Sequence, residues 1–172
     1  MKSKKHLKRL LILASICACL FLSYALIKDK LILENYNYNG NEEPLEPLSD
    51  KDFIVKNGNI VIELGSDYKD LEIDEKILSI SYANERRAYD IFVFENFTIS
   101  STLKIFMITL TTPAFETFRG VRLGDSILSV FEKYGIADSS ENGLYSYYYN
   151  YKILIFYVDE NNTIIGIRLE YV

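Results

Sequence analysis

Hydrophobic and polar positions recur with a helical period at one place in the C-terminal half of the chain. Four apolar residues follow one another there at the spacing of one helix face: Ile127, Val130, Phe131 and Tyr134. Asp125 stands where an N-cap residue belongs, and Gly135 stands where helices commonly end in the left-handed conformation. The pattern therefore predicts an amphipathic helix between these two residues, with its apolar face turned to a core.

After this helix the sequence becomes rich in Tyr, Ile and Phe, and its last stretch alternates with the period of two that is typical of β-strands. Three strand-like stretches follow: Leu144–Tyr151, Lys152–Asp159 and Thr163–Val172. In the last stretch alternation places Gly166, Arg168 and Glu170 on one face and these apolar residues on the other: Ile165, Ile167, Leu169 and Tyr171. The polar residues at 159–162 favour a turn between the last two strands. We expect these stretches to form an antiparallel sheet.

The two halves of the chain match when the sequence is shifted by 59 residues. Gly65 then falls on Gly124, and apolar positions of the later strands coincide as well. This match predicts two degenerate tandem repeats, at about 58–114 and 117–172, each formed by a helical element and an antiparallel sheet. The predicted fold class of the domain is therefore α+β, behind an N-terminal membrane helix.

The most apolar part of the chain is an uncharged run of 18 residues at 10–27. A bilayer span requires about 20 apolar residues, so this run is just long enough. Five Lys and Arg residues precede it, which favours a cytoplasmic N-terminus. The pattern predicts a basic leader at 1–9, a transmembrane signal anchor at 10–27, a polar linker at 28–52 and an extracytoplasmic domain at 53–172.

Two other interpretations of the apolar segment stay open. A small-x-small motif ends at Ala25, so a secretory signal could be cleaved there. Alternatively, the residues before Cys19 loosely match a lipoprotein processing site, and Cys19 would then carry lipid. Against this, the apolar run continues for eight residues beyond Cys19. A simpler interpretation is that Cys19 is a small apolar residue of a membrane helix.

Charge and composition argue against several function classes. Residues 31–172 contain 23 acidic and 12 basic residues, and this acidity disfavours binding to nucleic acids. Both cysteines and the only histidine, His6, precede residue 20. The predicted domain therefore lacks the thiol and imidazole groups on which most nucleophilic, acid–base and metal sites depend. We expect no enzymatic activity, no cofactor and no metal site.

The segment 117–126 reads Thr-Phe-Arg-Gly-Val-Arg-Leu-Gly-Asp-Ser, and it leads into the predicted helix and Gly135. This pattern resembles an element of small secreted or lipid-anchored bacterial proteins similar to the β-lactamase inhibitor protein and to the small lipoprotein of the outer-membrane β-barrel assembly machine. The resemblance is closest over about 117–135. It implies a helical element packed across a small antiparallel sheet, often duplicated. It concerns the fold alone and assigns no catalytic residue.

A dense group of aromatic residues is the main candidate for a binding site: Tyr145, Tyr147, Tyr148, Tyr149 and Tyr151. Exposed tyrosines suit recognition, because they offer a large contact area and a polar tip at little entropic cost. Tyrosine also suits strands, however, and one strand face should be core. Strict alternation sets Tyr148 opposite the other four, so one of these two sets is predicted to be exposed and to bind a partner.

Two polar clusters have simpler interpretations than a site. The turn at 159–162 offers oxygen ligands for Ca²⁺, but its spacing matches no calcium loop, and a hairpin turn explains the residues. The cluster at 85–87 offers a charged binding patch, but a solvated loop explains it better. No pair of carboxylates stands out as suited to glycoside hydrolysis.

These observations predict a membrane-tethered, extracytoplasmic protein-interaction module without catalytic activity, held at the membrane of a bacterial cell through residues 10–27. Its expected partner is a protein outside the cell. The alternative is an envelope assembly or maintenance lipoprotein processed at Cys19. A third hypothesis, an enzyme acting on wall polymers, lacks any group of residues that would carry the chemistry.

Overall fold

The computed structural model describes residues 46–71, 73, 76–84 and 88–172. The predicted leader, anchor and most of the predicted linker, together with Cys19, lie outside these residues, and so does the cluster at 85–87. Strands account for 50% of the described residues, and every strand pair is antiparallel. The described chain is therefore mainly a β-structure.

The strands form two sheets of different size. A small sheet consists of three strands, of which the first lies in the middle: β1 (Ile54–Asn57), β2 (Ile60–Glu63) and β7 (Glu116–Thr117). A large sheet consists of eight: β3 (Ile77–Ser81), β4 (Asp90–Phe94), β5 (Phe97–Ser101), β6 (Ile105–Leu110), β8 (Ser139–Glu141), β9 (Leu144–Tyr149), β10 (Lys152–Val158) and β11 (Ile164–Tyr171). Their order across the large sheet is β3-β4-β5-β6-β11-β10-β9-β8.

One face of the large sheet carries the core, and we call it the inner face. A row of directly opposed residues crosses six strands on this face: Phe92, Ile99, Ile108, Leu169, Leu154 and Tyr147. All six side chains are buried. Helix α1 (Ile127–Tyr134) packs on the inner face, where Phe131 meets the ring of Tyr145 at 5.5 Å and Tyr134 meets Phe156 at 5.6 Å. The apolar face that the helical periodicity predicts is therefore the face of α1 that covers this end of the sheet.

The prediction of an α+β fold with two helix-plus-sheet repeats is wrong. Helix α1 is the only α-helix in the described part of the chain, and the first half has a 3-10 turn of three residues, Tyr68–Asp70, in the corresponding place. The prediction of α1 itself is confirmed, with Gly135 at its C-cap at a φ of 75°. Its N-cap is Ser126, whose hydroxyl accepts a hydrogen bond from the Leu128 amide at 3.3 Å, and not Asp125.

A backbone arrangement nevertheless occurs twice, 59 residues apart. The Gly65 amide donates to the Ile105 carbonyl at 2.7 Å, and the Gly124 amide donates to the Ile164 carbonyl at 2.8 Å. In both places the isoleucine amide donates back to the residue after the glycine, at 2.9 Å and 2.8 Å. Both glycines have a φ above 90°, a conformation that other residues adopt only with strain. These two clamps fix the start of the last strand of each half.

The prediction of a transmembrane helix and signal anchor also requires correction. No helix within residues 46–71, 73, 76–84 and 88–172 is long and apolar enough to span a membrane. The predicted span at 10–27 lies outside these residues, so no structural support exists for the anchor.

Candidate functional site at the edge of the large sheet

The two edges of the large sheet differ in length and chemistry. At one edge β8 has three residues, which are Ser139, Ser140 and Glu141. At the other edge β3 has five residues with the sequence Ile-Leu-Ser-Ile-Ser, and all five are exposed. Among the described strands β3 pairs only with β4. The sheet thus ends in a short polar strand on one side and in a longer, uncharged and largely apolar strand on the other.

The β3 edge lacks most of the features that protect sheet edges. Natural proteins blunt such edges with charged side chains, proline, short strands or bulges, because the outer backbone groups of an edge strand readily pair with another chain. Residues 77–81 include no charge and no proline. A register shift between Ile77 and Ser79 places Leu78 in a bulge, where its side chain is 57% exposed. One irregularity is therefore the only such feature within the strand.

An apolar cavity of about 230 Å³ lies on the inner face beside this edge, and it is partly open to solvent. Seven residues line it: Tyr68, Leu71, Ile73, Ile77, Phe92, Phe94 and Ile99. Six of them are hydrocarbon side chains, and the Tyr68 hydroxyl is the one polar group that the lining side chains contribute. Ile77 belongs to both the cavity wall and the edge strand, so the two features form one continuous surface.

The element that lies over the cavity is a short turn. Tyr68 belongs to the 3-10 turn Tyr68–Asp70, whose first amides are capped by the Asp67 carboxylate, which accepts from the Lys69 amide at 3.0 Å. Tyr68 stacks on Phe92 at 4.9 Å, but a turn of three residues covers only part of the aromatic strip on β4. At the other end of the sheet the eight-residue helix α1 fills the corresponding space. Among the described residues, the turn leaves part of this surface open to solvent.

The lining of the cavity is suited to binding apolar groups. A cavity lined by hydrocarbon side chains accepts apolar groups and disfavours charged ones, which would lose hydration without gaining a partner. The described residues include no group of three or more His, Cys, Asp or Glu side chains arranged to hold a metal ion. The lining offers no titratable pair for proton transfer. The arrangement provides an edge strand at Ile77–Ile80 next to an apolar recess.

The predicted tyrosine cluster is divided by the structure into buried and exposed residues. Tyr147 is 2% exposed; its hydroxyl donates to the Gly135 carbonyl at 2.8 Å, and burial raises the pKa of this hydroxyl. Tyr145 and Tyr149 are half-buried, against Phe131 and Phe53 respectively. These three tyrosines serve the core of the inner face, which leaves them little surface for a partner.

Tyr148 and Tyr151 are the exposed members of the cluster, at 50% and 84%. Tyr148 lies on the opposite face of β9, as alternation predicts. Tyr151 does not follow the alternation, because β9 ends at Tyr149, and Asn150 and Tyr151 form a turn with φ values of 44° and 62°. Two consecutive positive φ angles are typical of a tight hairpin turn. The exposed pair lies at the end of the sheet remote in strand order from β3.

The polar turn at 159–162 is explained by its own hydrogen bonds. The Asp159 carboxylate accepts from the amides of Thr163 and Asn161, both at 2.9 Å. These bonds, that from Thr163 above all, hold the pKa of the Asp159 carboxyl below its usual value. The carboxylate thus acts as a turn cap between β10 and β11.

Sequence reasoning did not identify β3 and its cavity as a site. A signal was present, since residues 77–83 carry no charge in an acidic chain. That signal alone does not distinguish a buried strand from an exposed edge, which depends on the order of the strands. Comparison of the chain with protein-family models, with curated proteins and with solved structures gave no match.

Proposed function

We propose that this chain is a protein-interaction module that binds an extended segment of a partner protein by adding it as a further strand beside β3. The observation that carries the proposal is the exposed, uncharged edge of the large sheet at Ile77–Ile80. In strand addition, main-chain hydrogen bonds supply much of the affinity, and side-chain pockets supply the specificity. This edge offers both elements.

The expected strength of strand addition comes from hydrogen bonds and from the burial of apolar surface. Each main-chain hydrogen bond adds about 0.5–1.5 kcal/mol net, so a few such bonds alone give weak binding. Apolar side chains of the added strand would lie against Ile77 and Ile80 and remove hydrocarbon surface from water, which adds about 25 cal/mol per Å². The sum is consistent with a reversible interaction and not with a permanent one.

Binding without catalysis fits the composition of the site. The side chains that line the cavity are hydrocarbon apart from the Tyr68 hydroxyl, and β3 adds the hydroxyls of Ser79 and Ser81 together with backbone donors and acceptors. These groups suit binding through apolar contacts and hydrogen bonds. The acidity of residues 31–172 would favour encounter with basic partner segments and disfavour acidic ones. The expected partner is therefore a protein with an uncharged, extended segment between basic flanks.

The proposal is tested by mapping where peptides bind on the full-length chain. Peptides selected from a random displayed library would be measured by fluorescence anisotropy on the wild type and on Leu78→Lys, which places a charge at the exposed bulge of the edge. A matched control is Ile165→Lys, because Ile165 is an aliphatic residue of β11 that is 60% exposed but lies between two paired strands.

We expect Leu78→Lys to weaken binding at least about tenfold, since a lysine on an edge strand obstructs further pairing. Ile165→Lys should change the affinity by less than about twofold. A Tyr148→Ala variant separates the competing site on β9. Peptides that bind Leu78→Lys normally and lose affinity for Tyr148→Ala would refute strand addition at β3 and move the binding surface to the exposed tyrosines.

A further inference from the structure

We infer that the cavity beside β3 receives one bulky apolar side chain of the added strand, and that this side chain selects the partner. The inference rests on the proposed function, because it presupposes a strand at the β3 edge. It adds the chemical class of the ligand: an extended peptide with a large hydrocarbon or aromatic residue at a single position.

The register of the sheet determines which residue of the added strand would enter the cavity. Ile77 lies directly opposite Phe94, and Phe92 lies opposite Ile80 on the same face. Residues that are opposed in neighbouring strands point to the same face, with Cβ atoms about 4.5–5.5 Å apart. A residue of the added strand opposed to Ile77 therefore points to the inner face, next to the cavity that Ile77 and Phe94 line. The residues on either side of it point to the other face.

The size of the cavity limits what can enter. A dry cavity of about 150 Å³ lined by Leu, Ile and Phe accepts a benzene molecule. At about 230 Å³ the cavity has room for the ring of a phenylalanine together with its methylene group, or for a leucine or methionine side chain. Pockets for complete drug-sized ligands are larger, about 300–1,000 Å³, so a single side chain is the better match.

Charge complementarity selects the same occupant. Neither the seven lining residues nor Ile77–Ile80 carries a charge, so a charged anchor side chain would be desolvated without a counter-charge. Beyond this neutral strip, 23 acidic residues against 12 basic ones at 31–172 favour positive charge on the flanks of the peptide. The inferred ligand is thus neutral and apolar at its centre and basic at its ends.

A series of three heptapeptides tests the inference on the full-length chain. Each has the sequence acetyl-Lys-Val-Thr-Z-Thr-Val-Lys-amide, in which Z is Phe, Ala or Asp. Binding is followed by nuclear magnetic resonance at millimolar peptide, through the amides of Leu78–Ile80 and the methyl groups of Ile73, Ile77 and Ile99. The amides report strand addition, and the methyl groups report occupation of the cavity.

We expect the Phe peptide to shift both sets of signals and to bind at least about tenfold more tightly than the Ala peptide, which buries far less apolar surface. The Asp peptide should bind more weakly than the Ala peptide. In Leu71→Trp, a half-buried lining residue is enlarged to fill the cavity, and the preference for Phe over Ala should fall below about threefold.

Two outcomes separate the possible failures. If the Phe and Ala peptides shift the β3 amides with equal affinity and leave the three methyl groups unmoved, the cavity is not an anchor pocket, and strand addition still holds. If none of the peptides shifts the β3 amides, the proposed function fails, and this inference fails with it.

Discussion

Ile77 lies directly opposite Phe94 across the ladder of β3 and β4, and both side chains line the same apolar cavity. This pairing joins the edge of the sheet to its inner face. The edge strand and the recess therefore form one continuous surface, and a strand added at the edge would lie within reach of the recess.

Shortening the Phe131 side chain should show how strongly the stability of the fold depends on the packing of α1 against the large sheet. Phe131 is buried on the inner face and meets Tyr145 edge-on. We expect Phe131→Ala to lower the free energy of unfolding by about 3–5 kcal/mol, through lost burial and the cavity that remains. The measurement is urea unfolding followed by tyrosine fluorescence, because the chain contains no tryptophan. A loss below about 1 kcal/mol would show that α1 does not cover the sheet in solution.

Arg119 should be the most important cation for stability among those of the motif 117–126. Its guanidinium donates to both oxygens of Asp52, which is 1% exposed, and to the carbonyl groups of Pro47 and Lys133. The Asp52 carboxylate beside it raises the pKa of Arg119. Arg119→Ala leaves Asp52 buried and unpaired by this cation, so we expect a loss of about 3–5 kcal/mol in unfolding free energy.

Arg122 provides the matched control, since its pair with Glu116 at 2.6 Å is largely solvated. Exposed ion pairs contribute about 0–1 kcal/mol, and Arg122→Ala should lie in that range. Equal losses for the two variants in the same urea titration would contradict the structural role assigned to Arg119.

Stability should fall at alkaline pH because two tyrosines are buried. Burial raises the pKa of the Tyr134 and Tyr147 hydroxyls above the ordinary value of 10. Above this value the unfolded chain releases protons that the folded chain retains, so the free energy of unfolding decreases as the pH rises. The contribution is fully present below pH 10 and is progressively lost above it.

Tyr147→Phe isolates this effect. At pH 8 the variant should be less stable by about 0.5–1.5 kcal/mol, because it lacks the hydrogen bond to Gly135. The difference from the wild type should narrow between pH 10 and 11.5, since only the wild type carries the ionisable group at this position. The measurement is urea unfolding of the wild type and the variant at pH 8, pH 10 and pH 11.5. A difference that stays constant across this range would show that Tyr147 is not buried.

Local sequence patterns predicted the individual elements of the second half more accurately than they predicted the architecture of the fold. Helix α1 and the last three strands were predicted, and β9, β10 and β11 begin and end within two residues of the expected positions. Ile165 was expected on the same face as Ile167 and Leu169. Those two are buried while Ile165 is exposed, because a register shift between Tyr157 and Val158 turns it outward. Periodicity cannot reveal such a shift, since it depends on the neighbouring strand.

The fold class was missed because the first half replaces its helix with a turn. In the 59-residue match Tyr68 falls on Ile127 and Leu71 on Val130, and both line the cavity on the inner face. The described residues there form only the 3-10 turn Tyr68–Asp70, which ends before Leu71. The exposure of β3 also had no local signal. It follows from the order of the strands. The two halves of the sheet join through β6 and β11, where Ile108 lies opposite Leu169, and β3 is therefore at the outer end of its half. Such long-range pairing determines which strand is left at the edge.

The most direct test of strand addition is a measurement of distances between the peptide and the protein. In an isotope-filtered nuclear Overhauser experiment, the labelled full-length chain is mixed with the unlabelled heptapeptide that carries Phe at its centre. Strand addition predicts contacts between backbone protons of the peptide and those of Leu78, Ser79 and Ile80, in the regular order of a β-ladder. Contacts confined to Tyr148 and Tyr151, with none along β3, would contradict it.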